Sequence, residues 1–148
     1  MGEINMYENY TRQSLPSKEY RELLGTALCV FNSNNEFIIE NIISTDTSRN
    51  WHDLIDKESG RLKQDILDTI TQSSENSDIE NLFSDIVEDR NRIVHSFQTT
   101  SDKGEQILAT KTRAKDGNIQ FKISKEYLMN FIKKNEELSD LLHNYRGH

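Results

Sequence analysis

The segment Glu88-Asp89-Arg90-Asn91-Arg92-Ile93-Val94-His95 gathers the residue types that proton transfer and phosphate chemistry need. On a helical wheel, Arg90 falls at the centre of an apolar stripe, with Phe83, Ile86, Val94 and Phe97 all within about 40° of it. A guanidinium there needs a partner or a cleft, because an unpaired charge in apolar surroundings costs several kcal/mol and helix propensity returns only tenths. Ser84, Glu88, Asn91 and His95 form a polar strip beside that stripe. Asn91 and His95 are four residues apart, a spacing at which an amide can orient an imidazole. Histidine moves protons near neutral pH, and a fixed cation stabilises charge on a pentacoordinate phosphorus, so the set suits a phosphodiester. Attack by a ribose 2'-hydroxyl needs both a base for the nucleophile and an acid for the leaving oxygen. One copy of the chain lacks the second group, and a C2 dimer packed through this helix would supply it.

Each of these residues also has a plainer reading. Arg90 can pair with an acidic residue of an earlier helix, such as Glu36, Glu40 or Asp65. His95 can sit at a helix end and interact with the last carbonyls, since the helix stops near Phe97. Arg92 projects opposite Arg90 and reads as a solvated charge, with a phosphate contact as the alternative. Lys111, Arg113, Lys115 and Lys122 read as a charged edge that discourages strand pairing. The alternative is an RNA-gripping patch in which Arg92, Lys111 and Arg113 bind substrate. Trp51 reads as a core or interface anchor rather than a base-stacking platform. His52 has no second histidine or cysteine at ligand spacing, so no metal site is expected. Cys29, the single cysteine, lies in an apolar stretch and reads as a buried, inert thiol. No phosphate-cradling loop or Ser-His-Asp order is present.

The elements that must position this segment follow from periodicity. Met1 to Pro16 is polar and aperiodic and reads as an arm, leaving residues 17–148 as one domain. Ser17 can cap a helix whose apolar positions run from Tyr20 to Ile42, in phase across Asn32-Ser33-Asn34-Asn35, which predicts one long helix. Ser44 to Arg49 marks a turn. A second helical region runs from Trp51 to Ile70, with a kink or break at Ser59-Gly60. A third helix starts near Ser77 and carries Ile79, Leu82, Phe83, Ile86, Val87, Ile93, Val94 and Phe97 on its apolar face. Ile107, Ala109, Ile119, Phe121 and Ile123 then alternate around Lys115-Asp116-Gly117-Asn118, predicting a β-hairpin over about 105–123. Ser124 caps a last helix that ends at Gly147. The fold class is mainly α, a helical bundle with a hairpin before the last helix.

Composition sets the outer limits. A chain of 148 residues suits one domain. With 34% apolar and 29% charged residues, it has little material for a large core, which points to a partner chain as part of its stability. A net charge of -7 argues against coating nucleic acid through a broad basic surface. Residues 1–110 hold 10 basic and 20 acidic side chains and 111–148 hold 8 and 5, so phosphate contacts are expected in the last quarter. No run approaches the length of a membrane span, and the first thirty residues lack a basic start before an apolar run; the expectation is a cytoplasmic protein.

Arg90-Asn91-Arg92-Ile93-Val94-His95 resembles the R-x4-6-H motif of the HEPN superfamily, with the polar residue that nuclease members often carry after the arginine. The likeness reaches roughly from Ser17 to Phe97 plus the last helix. It implies an up-and-down bundle of four or five helices with the motif on a late helix, dimerised so that two motifs form one composite site. It further implies a metal-independent endoribonuclease without a cofactor, of toxin-antitoxin, abortive-infection or anti-phage type, leaving a 2',3'-cyclic phosphate and a 5'-hydroxyl. Arg90 and His95 would be catalytic, with Asn91 as the polar supporter. The partners implied are a second copy through the Arg90/His95 helix, an RNA substrate, and a nucleotidyltransferase-type or other antitoxin. The hairpin departs from a minimal bundle. A catalytically silent HEPN-like binding or dimerisation module, or an unrelated helical adaptor in which the motif is accidental, stands as the competitor.

Overall fold

The structure is a computed structural model that describes residues 6–147; Met1 to Asn5 of the expected arm and His148 lie outside the described residues. Helix α1 spans Lys18–Thr45 without a break. Ser17 caps it, its hydroxyl oxygen accepting from the Tyr20 N–H at 3.1 Å. The polar stretch in its middle stays helical because Asn34 turns inward. Its amide donates to the Asn135 carbonyl at 2.7 Å and to the Asn135 side-chain oxygen at 3.0 Å, so a buried polar group is satisfied between two helices.

The second helical region breaks just before Ser59-Gly60, at residues 56–58, and resumes at those two residues as a 3-10 turn. It consists of α2 (Trp51–Ile55), a 3-10 turn Ser59–Arg61, α3 (Leu62–Ile66), a π-helical turn Leu67–Thr71 and α4 (Gln72–Ser74). Buried Asp65 ties this region together by accepting from Arg49 and, at 2.8 Å, from Lys57. Helix α5 spans Asp78–Val94, with the Asn76 side chain accepting from the Asp78 N–H at 2.7 Å.

Helix α5 ends three residues before Phe97, and the chain departs from the sequence expectation there. Phe97–Thr100 is a strand, β1, so the expected hairpin is the outer part of a three-stranded antiparallel sheet ordered β1-β2-β3, with β2 at Gln106–Lys111 and β3 at Gln120–Ile123. Val94 and Phe97, expected in the apolar face, are 50% and 48% exposed. The hairpin loop contains a 3-10 turn, Ala114–Asp116, and places its positive φ at Gly117 (100°) and Asn118 (53°). Helix α6 spans Lys125–Arg146, capped by Ser124, whose oxygen accepts from the Tyr127 N–H at 3.0 Å, and closed by Gly147 in the left-handed conformation.

Helix α6 packs along α1, and α5 packs against α6. Ile38, Ile39, Ile42, Leu62, Ile66, Ile70, Phe83, Ile86, Leu128, Phe131 and Leu138 fill the space between them. The sheet joins this core through Tyr20. Its buried hydroxyl donates to the Ile123 carbonyl at 2.6 Å and accepts from the Leu108 N–H at 3.1 Å. The described part of the arm is also fastened: Glu8 pairs with Arg21 at 3.0 Å, and Gln98 donates to the Ser14 carbonyl.

Two expectations about burial are corrected. Cys29 is exposed, since it lies two residues from buried Ala27 and therefore about 200° round the helix from it. Trp51 is 40% exposed, which overturns the core half of its core-or-interface reading; its indole N–H donates to Glu36 at 3.0 Å. Among the described residues no helix is long and apolar enough to cross a membrane.

Candidate functional site

Helix α5 presents Arg90 to the middle of α1. The guanidinium carbon lies 5.1 Å from the centroid of the Phe31 ring. Phe31 is itself stacked between Phe83 at 6.5 Å and Phe131 at 6.3 Å, so the cation caps an aromatic column that reaches into the core. Arg90 is half-buried, and its Nε is buried with no hydrogen-bond partner. Loss of hydration lowers its pKa below the usual arginine value, and the Glu58 carboxylate opposes that shift.

None of the expected salt-bridge partners takes this charge. Asp65 is engaged by Arg49 and Lys57, Glu36 accepts from Trp51, and among the described residues no ion pair forms between Glu40 and Arg90. Arg90 is thus held by an aromatic face and the field of Glu58.

His95 is the C-cap of α5. Its backbone N–H donates to the Asn91 carbonyl at 2.9 Å, and its own carbonyl accepts from Thr110 at 3.3 Å. The side chain is exposed, and among the described residues no hydrogen bond joins it to the Asn91 amide. The spacing brings Asn91 and His95 together through the backbone rather than through their side chains. Arg90 and His95 are separated by roughly 7.5 Å along the helix axis at 1.5 Å per residue, and among the described residues no hydrogen bond or ion pair joins them.

The three residues expected to bind substrate are all engaged inside the chain. Arg92 is a strut between α5 and the sheet, not a solvated charge: its side chain is 15% exposed, 3.3 Å from Glu88, and donates to the Lys111 carbonyl. The helical wheel could not show this, because the strand that covers Arg92 comes later in the chain. Arg113 lies 3.2 Å from Asp116 and 3.7 Å from Glu88, and the Lys111 ammonium donates to Asn118 at 2.7 Å. Lys122 lies 3.5 Å from Asp102, so the hairpin cations are largely matched by local carboxylates and amides.

Sequence reasoning missed a second polar cluster on α5. Asp89 accepts from the Tyr127 hydroxyl at 3.2 Å and from Lys134 at 2.8 Å, and Lys134 also reaches Asp85 at 3.1 Å. Burial first, and then the charge of Asp89, raises the Tyr127 pKa far above the usual tyrosine value. The i, i+4 spacing of Asp85 and Asp89 was the available signal. It pointed to a cation, but not to which helix would supply it.

A groove of about 730 Å³ runs along α5 beside Asn81, Ser84, Asp85 and Glu88, but Arg90, Asn91 and His95 do not line it. Among the described residues no group of three or more histidine, cysteine, aspartate or glutamate side chains is placed to hold a metal ion. No protein-family model, curated protein or solved structure matches the chain.

Proposed function

We propose that the chain is a HEPN-like, metal-independent endoribonuclease that works as a homodimer through the C-terminal end of α5. Arg90 carries this reading. A guanidinium half-buried on an aromatic column, with an orphaned Nε, the field of Glu58 and no ion pair among the described residues, is costly to keep for stability alone and suits an anion that arrives from outside. His95 is exposed five residues on, at the C-terminal end of α5, where a substrate can reach it. Exposed Val94 and Phe97 flank it, offering apolar surface to a second copy. In the dimer, one His95 takes the proton of the ribose 2'-hydroxyl and the other protonates the 5'-leaving oxygen, while Arg90 stabilises charge on phosphorus. The products are a 2',3'-cyclic phosphate and a 5'-hydroxyl.

The second reading is a catalytically silent dimerisation module of the same type. The lack of a side-chain hydrogen bond between Asn91 and His95 favours it. One experiment separates the two: purified protein is incubated with mixed RNA in EDTA, alongside folded Arg90→Ala and His95→Ala variants. Chelator-resistant cleavage that falls about 100-fold or more in either variant supports the nuclease. A dimeric wild type that leaves varied RNAs intact moves the function to the silent module.

A further inference from the structure

The hairpin cations, one reading of which is an RNA-gripping patch, are largely engaged within the hairpin, whereas two cations without such partners lie elsewhere. Lys57, Arg61, Lys63 and Gln64 line a groove of about 480 Å³ with Leu67 and Glu80. Arg61 and Lys63 are exposed, and neither makes an ion pair or side-chain hydrogen bond among the described residues. The single acidic side chain of the groove, Glu80, already accepts from Thr71 at 3.0 Å. The lining therefore presents more positive than negative charge on a chain whose net charge is -7.

An exposed aromatic ring outside the groove lining, Trp51, is linked to it through α1. Ser59, beside the groove residue Gly60, donates to Asn35 at 3.0 Å, and the next residue along α1, Glu36, accepts from the Trp51 indole at 3.0 Å and 3.2 Å. Trp51 stands edge-on to His52 with ring centroids 5.2 Å apart and keeps 40% of its surface exposed. The same face of α1 carries Phe31, one turn before Asn35, and Phe31 holds Arg90. Trp51, the Ser59 that precedes groove residue Gly60, and Arg90 thus contact α1 at Glu36, Asn35 and Phe31, within a six-residue stretch of that helix.

We propose that this face is a single-stranded RNA tract, in which Trp51 stacks a base, Arg61 and Lys63 contact phosphates, and the strand is led towards Arg90. The choice of RNA as the polyanion rests on the ribonuclease reading above. The physics is that of single-strand binding, where a basic groove follows the backbone and an aromatic face accepts any base.

Trp51 is the only tryptophan, so its emission reports on the site directly. The probe is a fluorescein-labelled 2'-O-methyl oligouridine, which lacks the nucleophilic hydroxyl and stays intact on the full chain. Tryptophan emission and probe anisotropy are followed together across a salt series. The expected result is quenching on binding and about tenfold weaker binding in Trp51→Ala. In R61Q/K63Q the salt slope should fall by roughly 1.4, at about 0.7 per phosphate contact. The charge-matched control K111Q/R113Q retains wild-type affinity. No binding, binding without quenching, or equal weakening by the hairpin pair overturns the tract. Cleavage of RNA by a chain whose tryptophan the probe does not quench sinks this inference alone. Quenching and charge dependence without any cleavage sink the nuclease reading and leave the tract in place.

Discussion

Arg90 costs the fold something that its contacts do not return. The Phe31 ring offers a cation on the order of 1 kcal/mol, whereas loss of hydration at the buried Nε goes uncompensated by any hydrogen bond. Arg90→Met keeps the length of the side chain and removes the charge, so it should stabilise the protein by roughly 1 kcal/mol in urea unfolding while abolishing the proposed RNA cleavage. A destabilised Arg90→Met variant would mean that the arginine is structural. The conflict at Arg90 was legible in the sequence, because a helical wheel needs only local spacing. Its resolution was not, since nothing in the spacing names Phe31 or Glu58. Arg92 shows the same limit from the other side: it looked solvated because the strand that covers it lies 19 residues further on.

Between elements, the joint of α1 to the sheet depends on one hydroxyl. Leu108 and Ile123 are register partners in β2 and β3, and the Tyr20 hydroxyl accepts from the N–H of the first and donates to the carbonyl of the second. Tyr20→Phe preserves the ring in the core and leaves both backbone groups without that partner. It should cost about 2 kcal/mol, measured as a lowered urea midpoint. Faster amide exchange at Leu108 would locate the loss, and an unchanged midpoint would show that water replaces the hydroxyl. The long helices were legible because caps and periodicity agree over many turns, as Ser17 and Ser124 show. Strand β1 was not, because Ile93, Val94 and Phe97 continue the helical spacing of α5, and a four-residue strand is too short to show its own period.

At the scale of the whole molecule, a polar chain has closed a core by taking tyrosines inside with their protons. Tyr20 has its pKa raised by burial, against the lowering effect of the Leu108 N–H. Tyr127 is raised further, by burial and then by Asp89. Both groups therefore hold their protons more tightly folded than unfolded. Their contribution to stability is fully present below the unfolded value near pH 10, and it is lost as pH climbs from there through the folded values. The urea midpoint should accordingly fall steeply above about pH 10, beyond any decline at lower pH from the growing negative charge. Tyr127→Phe separates the two causes, since it leaves the overall charge nearly unchanged but deletes one of the raised groups; its alkaline decline should be shallower than that of wild type. Tyrosinate absorbance gives the companion measurement. Of the five tyrosines, the share belonging to Tyr20 and Tyr127 should appear only with unfolding, and smooth titration of all five near pH 10 in a still-folded chain would refute the account.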